Sequence, residues 1–128
     1  MSNEVITTNI AKLWMGEDNI IRVFYTQNAN ITLENLQEAV AIYRELNDGK
    51  PCPVLTDIRH IKSITREARE YGAKPEISKM YTANATIVGS LVSRTIINFF
   101  LKFNKPLIPT KLFTDENEAL AWLKGFLE

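Results

Sequence analysis

Two short β-branched segments, residues 53–58 (Pro-Val-Leu-Thr-Asp-Ile) and 84–89 (Asn-Ala-Thr-Ile-Val-Gly), each lie between stretches of helical periodicity. Strands separated by helices pair in parallel through crossovers, and that order restricts the chain to an α/β sheet with helices packed on it. The helix before the first segment, residues 33–47, is marked at both ends. Thr32 is a good N-cap, Ile31 and Leu36 stand at hydrophobic-staple positions, and Glu34 sits in the first turn. Leu33, Leu36, Ala39, Val40, Tyr43 and Leu46 share one face at 3.6-residue spacing. Asn47-Asp48-Gly49 ends the helix and Pro51 prevents its return.

The remaining segments extend this order. Residues 10–15 and 20–25 flank the turn Gly16-Glu17-Asp18-Asn19 and predict an antiparallel hairpin. A polar helix starts near Thr65 and is broken or kinked near Gly72 and Pro75. Residues 91–103 form a strongly apolar helix and residues 110–113 a last short strand. Thr114 is expected to cap a final helix with Ala119, Leu120, Leu123, Phe126 and Leu127 on its apolar face. The expectation is a mixed, mainly parallel sheet with an N-terminal β-hairpin and four helices, in the order ββαβαβαβα, as one domain over residues 1–128.

Charge narrows the function classes. Fifteen basic residues cancel fifteen acidic ones, so no global field gathers phosphate backbones or anionic lipid, and nucleic acid is not an expected partner. Apolar residues at 45% and charged residues at 23% describe a globular chain. Met1-Ser2-Asn3-Glu4 lacks the basic flank and apolar run of a signal peptide, and no apolar stretch approaches the ~20 residues of a spanning helix. A cytoplasmic location without a transmembrane segment is expected.

The element order resembles that of STAS domains (sulfate transporter and anti-sigma-factor antagonist), including SpoIIAA-like proteins. The residue-level likeness centres on Val54-Leu55-Thr56-Asp57-Ile58-Arg59-His60-Ile61-Lys62-Ser63-Ile64-Thr65. Such domains have a strand ending in an acid or amide, two spaced hydrophobes, and then an Asp-Ser-Ser/Thr-Gly run opening a helix. Asp57, Ile61 and Ile64 match in position. The run itself falls on Thr65-Arg66-Glu67-Ala68, with Glu67 where the phosphorylatable hydroxyl usually stands. Leu112 to Leu120 resembles the last strand and the acidic turn into the last helix. The chain is also similar to an uncharacterised family of small bacterial proteins of this shape. The resemblance implies the fold and a partner-facing edge, without the usual serine switch.

Cys52 and His60 are the single cysteine and histidine. They flank one strand, about 20 Å apart, too far for a nucleophile–base pair. Cys52 reads as a small buried hydrophobe and His60 as a loop residue. No catalytic set, metal site or cofactor is expected. Asp57, Ser63, Thr65, Arg66, Glu67 and Arg69 span a strand end and a helix start, the edge where open α/β sheets bind ligands. A capped, solvated helix explains the same residues. Gly89, Ser90, Ser93 and Arg94 occupy the next such junction and would join the first cluster if the two strands are neighbours. A capping serine is the plainer account there.

The helix over 91–103 carries more apolar residues than one buried stripe needs. It is either covered on two sides or keeps Ile96, Phe99, Phe100 and Phe103 for a dimer interface or a greasy ligand. A non-enzymatic protein-binding or regulatory module, with an unidentified partner protein and a homodimeric state, is the leading expectation. A carrier of a small hydrophobic or anionic ligand is the alternative, and an enzyme ranks last.

Overall fold

The computed structural model describes residues 4–89, 91–103 and 107–127, without the side chains of residues 99–101 and 103. In chain order the elements are β1 (Ile6–Thr7), β2 (Ala11–Met15), β3 (Ile21–Tyr25), β4 (Asn30–Ile31), α1 (Leu33–Leu46), β5 (Cys52–Asp57), β6 (Ser63–Ile64), α2 (Arg66–Gly72), α3 (Pro75–Ser78), β7 (Tyr81–Ile87), α4 (Leu91–Phe103), β8 (Thr110–Phe113) and α5 (Glu116–Lys124). The main sheet has the order β1-β2-β3-β5-β7-β8. β1, β2 and β3 pair antiparallel, and β3, β5, β7 and β8 run parallel.

The β2–β3 turn closes on one ion pair. Asp18 accepts two hydrogen bonds from the Arg22 guanidinium, at 2.7 and 2.8 Å, and one from the Ile20 backbone N–H. Gly16 leaves room beside it, because a Cβ there would run into the Arg22 guanidinium and shift the ion pair. Arg22 holds the Asp18 carboxyl below its ordinary value.

Alternation along β5 builds two cores from one strand. Val54 packs on the front face with Leu13, Val23 and Tyr25, under Val40 and Tyr43 of α1 and Ala68 of α2. Leu55 packs on the back face with Ala83, Ala85 and Ile87, under Ala119 and Leu123 of α5. The alanines of β7 have little volume, which lets α5 lie close to the sheet. Burial of each large side chain stabilises by about 1.5–3 kcal/mol.

A separate parallel pair, β4 with β6, matches Asn30 to Ser63 and Ile31 to Ile64. It leads directly into α1 and α2, so the two helices start side by side. Thr32 caps α1 in a capping box with Asn35, and the Thr65 hydroxyl caps α2 through the Ala68 N–H at 3.1 Å. The expected break at Gly72 and Pro75 is a true division, with Pro75 in the first turn of α3, and it raises the helix count among the described residues from four to five. α5 is capped by Asp115, which accepts from the Glu118 N–H at 3.0 Å, and not by Thr114. β7 begins three residues before its expected start, which brings Tyr81 into the sheet.

Candidate functional site

The cluster expected around Asp57 divides among three environments. Asp57 ends β5 with its carboxylate buried, accepting the Arg59 backbone N–H at 2.9 Å and the Arg59 guanidinium at 2.6 to 3.1 Å. Those hydrogen bonds raise the Arg59 pKa, with smaller help from the charges of Asp57 and Glu116. The Arg59 stem lies over Gly89, where a Cβ would meet Cγ at 3.1 Å. Arg59 therefore joins the two strand-to-helix junctions, although it stands in neither of the clusters expected from the sequence. An acid two residues before an arginine at a strand end was the available signal.

Ser63 and Thr65 are held in local bonds. Ser63 donates to Asn30 Oδ1 at 2.6 Å, and Thr65 caps α2. Arg66 pairs with Glu70 at 3.0 Å on the outside of α2, and Glu67 is also exposed there. At the second junction Ser93 is fully buried and accepts from the Gly89 N–H at 3.3 Å, while Arg94 is exposed. The two junctions therefore form no shared cradle of arginines and hydroxyls among the described residues. Ser90 lies outside the described residues, as do the side chains of Phe99, Phe100 and Phe103. Leu91 and Val92 are exposed on the first turn of α4, while Ile96 and Ile97 pack against the front core.

Arg69 is turned inward instead. Its Nη1 donates to the Ile64 carbonyl at 2.9 Å, and the side chain lines a cavity of about 130 Å³. This cavity lies between the front face of the sheet and helices α1, α2 and α4. Its sheet side is made by Tyr25, Thr56, Tyr81, Asn84 and Thr86; its helix side includes Leu36, Tyr43, Ala68, Ile96 and Ile97. Thr56 donates to Asn84 Oδ1 at 3.1 Å across the β5–β7 pair. Tyr43 and Tyr81 meet edge to face with centroids 5.6 Å apart. Burial pushes the Tyr25 phenol up to about 12 and raises Tyr43 and Tyr81 as well, with the neighbouring phenols adding to both. All three are neutral O–H groups near neutral pH.

The sequence reading missed this constellation because each tyrosine doubles as a core residue. The legible signal was Thr56, Asn84 and Thr86: three polar residues inside strands that a parallel sheet normally fills with aliphatics.

Cys52 lies at the opposite end of β5 from the loop that carries His60. Its thiol is buried and pushed up to about 11 by that burial, which removes thiolate character. His60 is exposed. Among the described residues no three His, Cys, Asp or Glu side chains are grouped to hold a metal ion, and no helix is long and apolar enough to cross a membrane.

Residues 13–127 match the family model described as "Domain of unknown function (DUF7793)". The chain belongs to this family. No curated protein matches this DUF7793 chain. Among solved structures it is similar to an uncharacterised DUF3478 family protein with a SpoIIAA-like fold from Shewanella loihica PV-4, at a TM-score of 0.61 and 17% identity, covering 92% of this chain and 98% of that one. A protein with unknown function from Arthrobacter sp. FB24 is 30% identical over 92% of this chain and 95% of its own, with a TM-score of 0.35. The DUF7793 chain thus has the SpoIIAA-like fold that its element order and the segment around Asp57 led one to expect.

Proposed function

We propose that this DUF7793 protein is a non-catalytic binding module, and that it holds a small, mainly apolar molecule in the cavity between the sheet and helices α1, α2 and α4. The observation that carries this reading is the cavity itself, a half-open space lined chiefly by apolar surface with a few polar groups on its sheet side. Its volume is close to that of a buried cavity that admits benzene, roughly 150 Å³. The groups that would serve chemistry are not among the cavity's lining residues: Asp57 is paired with Arg59, Cys52 is a buried thiol, and His60 is exposed on the loop after β5. The surface at the start of α2 offers less to a protein partner than its sequence suggests. Ser63 and Thr65 are hydrogen-bonded locally, Arg66 is paired with Glu70, and Arg69 faces inward.

Delipidated protein with labelled isoleucine methyl groups, titrated with toluene, tests the reading. Shifts are expected at Ile64, Ile96 and Ile97 on the cavity wall, and none at Ile20 in the back core. Absence of shifts at the cavity methyls up to the solubility of toluene would refute the proposal.

A further inference from the structure

The cavity carries an unbalanced set of polar groups. Tyr25 and Tyr43 are 8% and 5% exposed and line it, and the phenol hydroxyls of Tyr25, Tyr43 and Tyr81 have no hydrogen-bond partner among the described residues. None of these hydroxyls is sealed from solvent, so water or a ligand in the cavity can supply the partner that the protein does not. The Asn84 carbonyl already accepts from Thr56, which leaves its amide N–H groups as donors without a described partner. Arg69 is the one charged side chain among the described lining residues, and none of them is acidic. A site with several donors, one cation and no carboxylate favours an anionic acceptor over an amine.

We infer that the cavity takes a small monocarboxylate, its ring-sized or branched apolar body against Ile64, Ile96 and Ile97 and its carboxylate received by Tyr25, Tyr43, Tyr81 and Asn84 near Arg69. The inference rests on the cavity being the ligand site and adds the chemical class of the ligand. It involves no covalent step: the phenols keep their protons and donate hydrogen bonds.

Four probes of nearly equal shape test it on the full chain by the same methyl spectra: toluene, benzamide, benzoate and benzylamine. Benzoate is expected to bind about tenfold or more tightly than toluene, with benzamide between them and benzylamine weakest. Tyr43→Phe and Tyr81→Phe keep the rings and remove the hydroxyls. Each is expected to weaken benzoate about tenfold and to leave toluene within about twofold. Asn84→Asp supplies an independent arm, because the added carboxylate should reverse the order of benzoate and benzylamine. If toluene binds but benzoate binds no tighter, or if the variants move both probes equally, the carboxylate assignment is overturned and the cavity reading stands. If none of the four shifts the cavity methyls, both fall.

Discussion

Tyr25 and Cys52 share one consequence of burial. An acid whose folded pKa lies above its unfolded value keeps its proton longer in the folded state. Its contribution to stability is whole below the unfolded value and is lost as pH rises through the folded one. For Tyr25 that window runs from 10.0 to about 12, and for Cys52 from 9.0 to about 11. The free energy of unfolding should therefore hold steady near pH 8 and fall as pH climbs past 9. The Tyr25 share is about 3 kcal/mol across its full window. Urea midpoints measured between pH 8 and 11.5 check this, and Tyr25→Phe should flatten the upper part of the profile. A wild-type midpoint unchanged over that range would contradict the burial of these groups. Asp57 gives a second residue-scale outcome. Arg59→Ala leaves a buried carboxylate with only the backbone N–H of residue 59 as donor. The expected loss is about 1–3 kcal/mol, below that of a wholly buried pair because the Arg59 side chain is 35% exposed. An equal loss in Arg66→Ala, whose partner Glu70 is exposed, would show that the Asp57 pair has no special weight.

Elements marked by periodicity and caps were legible. α1 and α4 keep their expected starts, and β2, β3, β5 and β8 fall within a residue of their expected bounds. The strands that escaped notice are β1, β4 and β6, two residues each, too short to show an alternation of period two. They matter nonetheless, because the β4–β6 pair is what sets the starts of α1 and α2 together. The start of α5 was misplaced by one residue for a local reason: Thr114 and Asp115 are both good caps, and sequence alone cannot rank neighbours of similar preference. The structure ranks them, since the Asp115 carboxylate accepts the Glu118 N–H. Asp115→Ala is expected to cost about 1 kcal/mol in chemical denaturation, with Thr114→Ala within about 0.5 kcal/mol of wild type. The reverse order would place the helix start at residue 115 and overturn the cap seen here.

Across the whole molecule, the parallel sheet and its SpoIIAA-like order follow from the alternation of strands and helices, whereas the cavity depends on side chains brought together from β3, α1, β5, α2, β7 and α4. No local pattern encodes such a meeting: local rules mark polar residues at strand ends, and Thr56, Asn84 and Thr86 stand inside the strands. The same arrangement predicts how the molecule opens. β5 supplies Val54 to the front core and Leu55 to the back core, so neither core can disassemble while that strand stays paired. α4 is tied differently: of its described side chains Ser93 is fully buried and Ile96 and Ile97 are partly buried, with Leu91 and Val92 outside. Amides of β5 and β7 should exchange with solvent only through global unfolding, and those of α4 through a local opening of lower free energy. Leu55→Ala removes a fully buried side chain from the back core, with an expected cost of about 2–5 kcal/mol. Hydrogen exchange at each amide should then show that full loss in β5, β7 and α5, and almost none in α4, whose opening does not disturb the back face. A loss in α4 as large as that in β5 would mean that the helix over the cavity opens only with the whole sheet. A ligand could then enter only by global unfolding or through a gap already present beside α4.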